Sequence, residues 1–200
     1  MKKLFLLVAV ALLTVTNVSA QNDEPKQEIA VTYGWASTSD WASIFGNVIE
    51  AIFGERFGDN ESIVGPISVE YFYHLKPWLG VGAIGAYGQF SQDIVSRDDE
   101  NDVIGNKKTN YATFMPAVKI TYLNRDIVGL YSKLAVGATR RSEKKTYVDE
   151  SREGRDISEF HVNFQVSLLG VELGSQNLRG FAEFGFGEQG MLCVGARYKF

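Results

Sequence analysis

Few side chains in this sequence could do covalent chemistry. It holds two histidines, His74 and His161, and one cysteine, Cys193. A nucleophilic site needs a base beside a nucleophile, with a third group to orient the base. His161 lies near Ser158, Glu159, Asn163 and Gln165 in a stretch of alternating character. In an extended strand successive side chains point to opposite sides. Glu159 and His161 then share a side that Ser158 cannot join, and His74 falls near the far end of its own strand. The spacing favours a histidine satisfied in an interior over a catalytic one, so no catalytic residue is assigned. The single cysteine rules out an internal disulfide and a cysteine metal cluster.

Two stretches fit G-x-G-x-x-G: Gly80-Val81-Gly82-Ala83-Ile84-Gly85 and Gly185-Phe186-Gly187-Glu188-Gln189-Gly190. A dinucleotide site needs a strand before, a helix after and an acid about 20 residues on. Asp98 and Asp99 fall in range of the first, but no helical pattern follows either match, and no cofactor is expected. The run Arg97-Asp98-Asp99-Glu100-Asn101-Asp102 has oxygen ligands for Ca²⁺ or Mg²⁺ but lacks the glycine and closing glutamate of an EF-hand loop. It reads as a solvated loop, and no metal site is assigned.

The chemistry that does stand out is ionic. Glu70, Lys119, Lys133, Glu183 and Arg197 each fall inside a run of period-two alternation. Eight such runs are predicted: Glu28 to Ser37, Ile63 to Leu75, Leu79 to Phe90, Asn110 to Leu123, Val128 to Arg140, from Ser158 onward, Leu178 to Gly187, and Met191 to Phe200. Ile29, Val31, Tyr33 and Trp35 share one face of the first. Tyr198 and Phe200 close the apolar face of the last. The facing of the third, Gly-rich run stays open, and the alternation slips near Leu168-Leu169, where a bulge is expected. All five charges fall on the face opposite the aromatic and branched side chains.

Short turn signals join the second and third runs (Lys76-Pro77), the fourth and fifth (Asn124-Arg125-Asp126), and the sixth and seventh (Gly174-Ser175-Gln176-Asn177). Longer connections occupy about 38–62, 91–109 and 141–157. The first holds Trp41, Ile44, Phe45, Val48 and Ile52 at helical spacing, with Asp40 to cap and Gly54 to stop a short amphipathic helix. Its apolar side needs cover, either across an opening or on a lipid surface; a packed lid is the simpler reading.

The N-terminus carries Lys2 and Lys3, an apolar run from Leu4 to Leu13, and Val18-Ser19-Ala20. That is the layout of an export signal over 1–20, leaving a single domain over 21–200. The apolar run is too short for a membrane helix, which needs about 20 residues. The formal net charge of −4 disfavours nucleic acid as a partner. With 20 Gly, 4 Pro and 12% aromatics, a soluble β-sandwich and a membrane β-barrel remain.

The two differ in what the polar face must meet. Gly34, Gly85, Gly137, Gly185 and Gly195 fall there by parity, and glycine weakens a solvated strand. Small residues suit the crowded inside of a narrow closed barrel. A Lys or Arg at mid-depth on a lipid face costs about 2–4 kcal/mol, whereas inside the bore it can pair. Short turns at one end and long loops at the other also fit a barrel. Val118→Arg should therefore block assembly, and Ala117→Arg should be better tolerated.

The terminal GFAEFGFGEQGMLCVGARYKF, the C-terminal Phe200, the eight alternating strands and the Lys76-Pro77-Trp78 turn resemble the small eight-stranded outer-membrane β-barrels of Gram-negative bacteria, of the OmpX/OmpA-barrel kind. The resemblance covers residues 21–200. It implies a monomer in the outer membrane, in contact with lipid and lipopolysaccharide. It also implies that Phe200, supported by Tyr198, is read by the barrel-assembly machinery. That family shares no single activity. The expected fold is all-β, a closed antiparallel barrel with a short helix in the first outer loop. The expected role is non-enzymatic, as a surface binder of an extracellular ligand or an envelope component. A lipid-A-modifying enzyme and a narrow solute channel are the alternatives.

Overall fold

The computed structural model describes residues 25–35, 37, 56–95, 103–147 and 155–200. The export signal expected at 1–20, the helix expected over Trp41, Ile44, Phe45, Val48 and Ile52, and the acidic run at 97–102 lie outside the described residues.

Eight strands succeed one another: β1 (Gln27–Trp35), β2 (Arg56–Lys76), β3 (Leu79–Val95), β4 (Val103–Asn124), β5 (Val128–Tyr147), β6 (Arg155–Gly174), β7 (Leu178–Gly187) and β8 (Leu192–Lys199). Each pairs antiparallel with its neighbour in sequence, and β8 returns to β1, from Glu28↔Lys199 to Trp35↔Leu192, closing the ring. The closure includes the last residue. Phe200 N–H donates to Gln27 O and Gln27 N–H to Phe200 O, both at 2.9 Å. Closure removes the unpaired edges that an open sheet would expose at this level.

Alternation explains the strands and sorts their side chains. On β4 the pattern is unbroken from Thr109 to Ile120, with odd-numbered residues buried and even-numbered ones on the outer surface. Phe114 is 63% exposed and Tyr122 64%, while Met115 is fully buried and Lys119 1% exposed. An outer surface of Val, Ile, Leu, Phe, Tyr and Trp around a polar, charged interior inverts a water-soluble protein and matches a lipid-facing barrel.

The tight turns Lys76–Leu79, Asn124–Val128 and Gly174–Leu178 lie at one end together with Gln27 and Phe200. Arg125 N–H donates to Val128 O at 2.8 Å and Ser175 N–H to Leu178 O at 2.9 Å, and Asn177 Nδ2 donates to Lys199 O at 2.9 Å. Tyr73, Trp78 and Tyr122 are exposed near this end.

Several expectations change. The strands outrun their predicted ends: β4 reaches down to Val103, β5 up to Tyr147 and β6 begins at Arg155. Much of 91–109 and 141–157 is therefore strand. Hydrophobic alternation is absent there because both faces are polar. The open facing of β3 resolves with Ile84 and Phe90 fully buried inside and Tyr87 51% exposed outside. Gly85 lies on the outer face, where a side chain would meet nothing within 4 Å, so it does not belong with the crowded inner glycines. Ala117 is 5% exposed in an apolar lining with Phe72, Ile84, Met115 and Ala135, so an arginine there would find no room. The slip in β6 is present as register shifts between Ser167 and Leu169 against β7 and between Tyr131 and Lys133 on the β5 side.

Candidate functional site

The bore is built in layers. In the middle, Lys133 on β5 sits between Glu70 on β2, 2.5 Å away, and Glu183 on β7, 2.9 Å away. Tyr131 O–H and Ser167 O–H each donate to Glu183 at 2.6 Å, and Thr32 O–H donates to Glu70 at 3.3 Å. Burying three charges costs several kcal/mol apiece unless each is paired and hydrogen-bonded. Here the carboxylates receive hydroxyl donors as well as the ammonium.

Next toward the turn end lies Arg197 on β8, with its guanidinium 4.6 Å from the Tyr131 ring centre and 4.4 Å from that of Phe181. It donates to Glu172 at 2.6 Å and approaches Glu28 at 3.3 Å and Glu70 at 3.6 Å. Lys119 donates to Glu28 at 2.8 Å and stands 4.2 Å from the Tyr131 ring centre. All five strand charges singled out from parity thus face the bore, on strands that are mostly not neighbours in the ring.

Sequence reasoning missed four further members. Glu28 and Lys199 share the parity of their inward neighbours, and Arg179 shares that of Phe181 and Glu183, so each was readable. Glu172 was not: the bulge flips the parity between Ser167 and Glu172, and both point inward. Glu172 gathers Arg179 at 2.7 Å, Lys199 at close hydrogen-bond range, Arg197, and Lys119 at 3.7 Å. Arg179 also donates to the carbonyls of Ser175 and Arg125, fastening two turns across this end of the barrel.

The other end is closed by the β7–β8 turn. Gly187 and Gly190 take φ of +136° and +116°. Glycine suits such dihedrals, and they fold Glu188 and Gln189 back into the mouth, 3% and 0% exposed. Gln189 Nε2 donates to Ser68 at 2.8 Å and Glu70 at 2.7 Å, and its N–H donates to Gln165 at 2.8 Å. Glu188 accepts from Thr113 at 3.1 Å and from Asn163. A Cβ on Gly34 would fall 1.6 Å from Gln189 O, so the approach of the turn needs glycine at that position.

The two histidines are kept apart. His74 pairs with Glu28 at 3.1 Å near the turn end. His161, in register with Thr139 beyond the plug, is exposed and holds no hydrogen bond or ion pair among the described residues. It is not the satisfied interior histidine that its spacing predicted: along β6 the buried inner residues end at Asn163. No group of three potential metal ligands occurs among the described residues. Neither G-x-G-x-x-G stretch precedes a helix: the first lies within β3 and the second runs from β7 into the plug turn.

Among the described residues the ring above the plug is incomplete. β1, β7 and β8 have 9, 10 and 8 residues, whereas β2, β4, β5 and β6 have 20 to 22. At about 2.6 Å of axial climb per tilted residue, the long strands rise roughly twice as far as the hydrocarbon band requires. The excess forms a half-collar whose flank is β6. Its last ladder partner on β7 is Gln165↔Gly187, and Phe160 and Val162 beyond it are 75% and 81% exposed.

No protein-family profile matches the chain, and no curated protein does. Solved structures do. The crystal structure of Ail, the attachment invasion locus protein of Yersinia pestis, matches at TM-score 0.50 and 15% identity, over 89% of this chain and 100% of Ail. The crystal structure of Ail with the heparin analogue sucrose octasulfate matches at TM-score 0.48 and 15% identity over the same shares. The eight-stranded ring described above is thus similar in fold to Ail, and its architecture is that of a small outer-membrane β-barrel.

Proposed function

We propose that this chain is an integral outer-membrane protein without enzymatic activity, acting at the cell surface through the half-collar of β2–β6. The carrying observation is the mismatch between strand length and band height. The ten residue steps from Tyr122 to Ala112 give β4 about 26 Å of apolar outer face, close to the hydrocarbon band of such barrels. The strand continues through Asn110, Thr109, Lys108, Lys107 and Asn106 to Val103. A sheet that persists beyond the lipid has a use there, and the β6 flank presents backbone groups and exposed Phe160 and Val162 to an incoming extended segment.

On this reading residues 1–20 are a cleaved export signal and 21–200 the mature barrel, delivered by the assembly machinery through Tyr198 and Phe200. The alternatives fare less well. An enzyme needs a base near a nucleophile, and the histidines stand at opposite ends. A channel needs an open path, and the ion-paired layers and the plug occupy the bore.

The test is isolation of outer membranes from a producing strain and a deletion strain. Support would be a heat-modifiable band in the outer membrane, identical lipid A by mass spectrometry in both strains, and silent planar bilayers. A freely dissolved periplasmic protein, or lipid A that changes and reverts with His161→Ala, would overturn it.

A further inference from the structure

The register of β4 and β5 sets two lysine pairs directly opposite each other above the apolar band: Lys107↔Lys145 on the inner face and Lys108↔Lys144 on the outer. Like charges directly opposed across an antiparallel ladder destabilise it. The inner pair is relieved, since Lys107 lies 3.7 Å from Glu143. The outer pair is not. Lys108 and Lys144 are both exposed, and neither forms an ion pair among the described residues. Arg140 follows on the same face of β5. It is exposed, donates one guanidinium hydrogen to Ser158 at 3.1 Å and lies 5.9 Å from the Phe160 ring centre. Asp93 accepts from Asn106 at 3.0 Å beside the row, and on the ladder the backbone of Lys144 is in register with that of Asp156.

Depth says what meets these cations. Along β5 the outer face reads Leu130, Ser132 (its hydroxyl donating to Leu168 O), Leu134, Val136 and Ala138, then Arg140, Ser142 and Lys144. Along β4 it reads Phe114 and Ala112, then Asn110 and Lys108. Both strands change from apolar to cationic within the same ladder rungs, Phe114↔Ala138 and Ala112↔Arg140. Lys108 stands roughly 10 Å of axial climb above Ala112, within the headgroup zone that follows the hydrocarbon.

We infer that Lys108, Lys144 and Arg140 form a binding site for the phosphate groups of the outer-leaflet glycolipid, one anion bridging the opposed lysines. The inference rests on the outer-membrane reading and adds a ligand chemistry and a place. An anion between Lys108 and Lys144 would turn their repulsion into two charge-assisted contacts, and Arg140 would supply further N–H donors at the boundary.

The experiment uses full-length mature protein folded into bilayer nanodiscs of phosphatidylcholine doped with diphosphorylated lipid A or with its dephosphorylated form. Bound lipid is counted by native mass spectrometry and by titration. Wild type should retain the diphosphorylated lipid and discriminate against the dephosphorylated one. Lys108→Gln/Lys144→Gln should bind it about tenfold or more weakly, given about 1 kcal/mol per cation at a lipid surface. In zwitterionic detergent without phosphate the double variant should fold at least as well as wild type, since it loses a repulsion. Equal binding by the variant, or no preference between the two lipids, would overturn the site while leaving the barrel reading intact. Binding of free inorganic phosphate as tightly as the lipid would overturn the lipid as occupant. Failure to insert into the nanodiscs would overturn both readings at once.

Discussion

Lys133 Nζ lies 2.5 Å from Glu70 Oε1, and the strands that carry them, β5 and β2, are not neighbours in the ring. The contact spans the bore, with Glu183 at 2.9 Å on a third strand. One ammonium therefore ties three parts of the wall together where water is excluded.

Lys133→Met should be costly because it leaves two buried carboxylates facing each other with only the more distant Arg197, 3.6 Å from Glu70 and 3.9 Å from Glu183, to balance them. Loss of one partner from a buried ionic group is worth about 3–5 kcal/mol. Urea unfolding of the lipid-folded barrel, followed by tryptophan fluorescence, should show a lower midpoint. Adding Glu183→Gln should recover part of the loss. An unchanged midpoint in the single variant would mean that Lys133 is not coupled to the acids.

Depth should govern the outer face of β4. Val118→Arg, in the middle of the apolar band, should cost about 2–4 kcal/mol, and Asn110→Arg, on the same strand and face above the band, about 0–1 kcal/mol. Equal costs would contradict the placement of the hydrocarbon boundary near Ala112. Ala117→Arg should also fail, for the separate reason that Ala117 packs among Phe72, Ile84 and Met115.

Phe200 combines two contributions that can be separated. Its backbone closes the ring on Gln27, and its ring stacks near that of Tyr198 with centroids 5.9 Å apart. Phe200→Ala keeps the backbone contact. Folding of the purified variant in detergent should stay close to wild type, while its amount in outer membranes should fall several-fold if the terminal aromatic is read during assembly. Parallel losses in both assays would assign Phe200 to stability alone.

Gly190→Val should dislodge the plug. The φ of +116° disfavours a branched side chain, and a Cβ would lie 2.5 Å from Trp35 O. The variant should unfold at a lower temperature. Its mouth should admit a small thiol reagent to Cys193, which is 1% exposed beneath the turn in the native protein. Unchanged protection of Cys193 would show that the turn is not the cover.

Much of this barrel was legible as period two. Once hydrocarbon lies on one side of a strand, every second residue must be apolar, so parity placed Glu70, Lys119, Lys133, Glu183 and Arg197 on one face and Tyr198 and Phe200 on the other. Parity also contained Glu28, Arg179 and Lys199. It could not reach Glu172, because a bulge shifts the count by one and only the pairing of β6 with β5 and β7 shows by how much. It could not orient β3, since Gly and Ala occur on both of its sides and Ile84 and Phe90 inside are as apolar as Val81 and Tyr87 outside. Nor could it find the half-collar, where the outer face stands above the hydrocarbon and the buried inner face carries polar Lys107, Thr109 and Glu143, so that no hydrophobic alternation is required.

The sequence alone therefore determined local matters: extended strands, their tight turns, and which face of most strands is compatible with lipid. The tertiary structure decided which charges meet across the bore, because those contacts join Lys119 to Glu28, 91 positions away, and Arg197 to Glu70, farther still, and depend on the stagger at which the ring closes. It also decided that Gln189 fills the mouth. A turn residue has no face until the strands on either side of it, and Gly34 across from it, leave a space of its size.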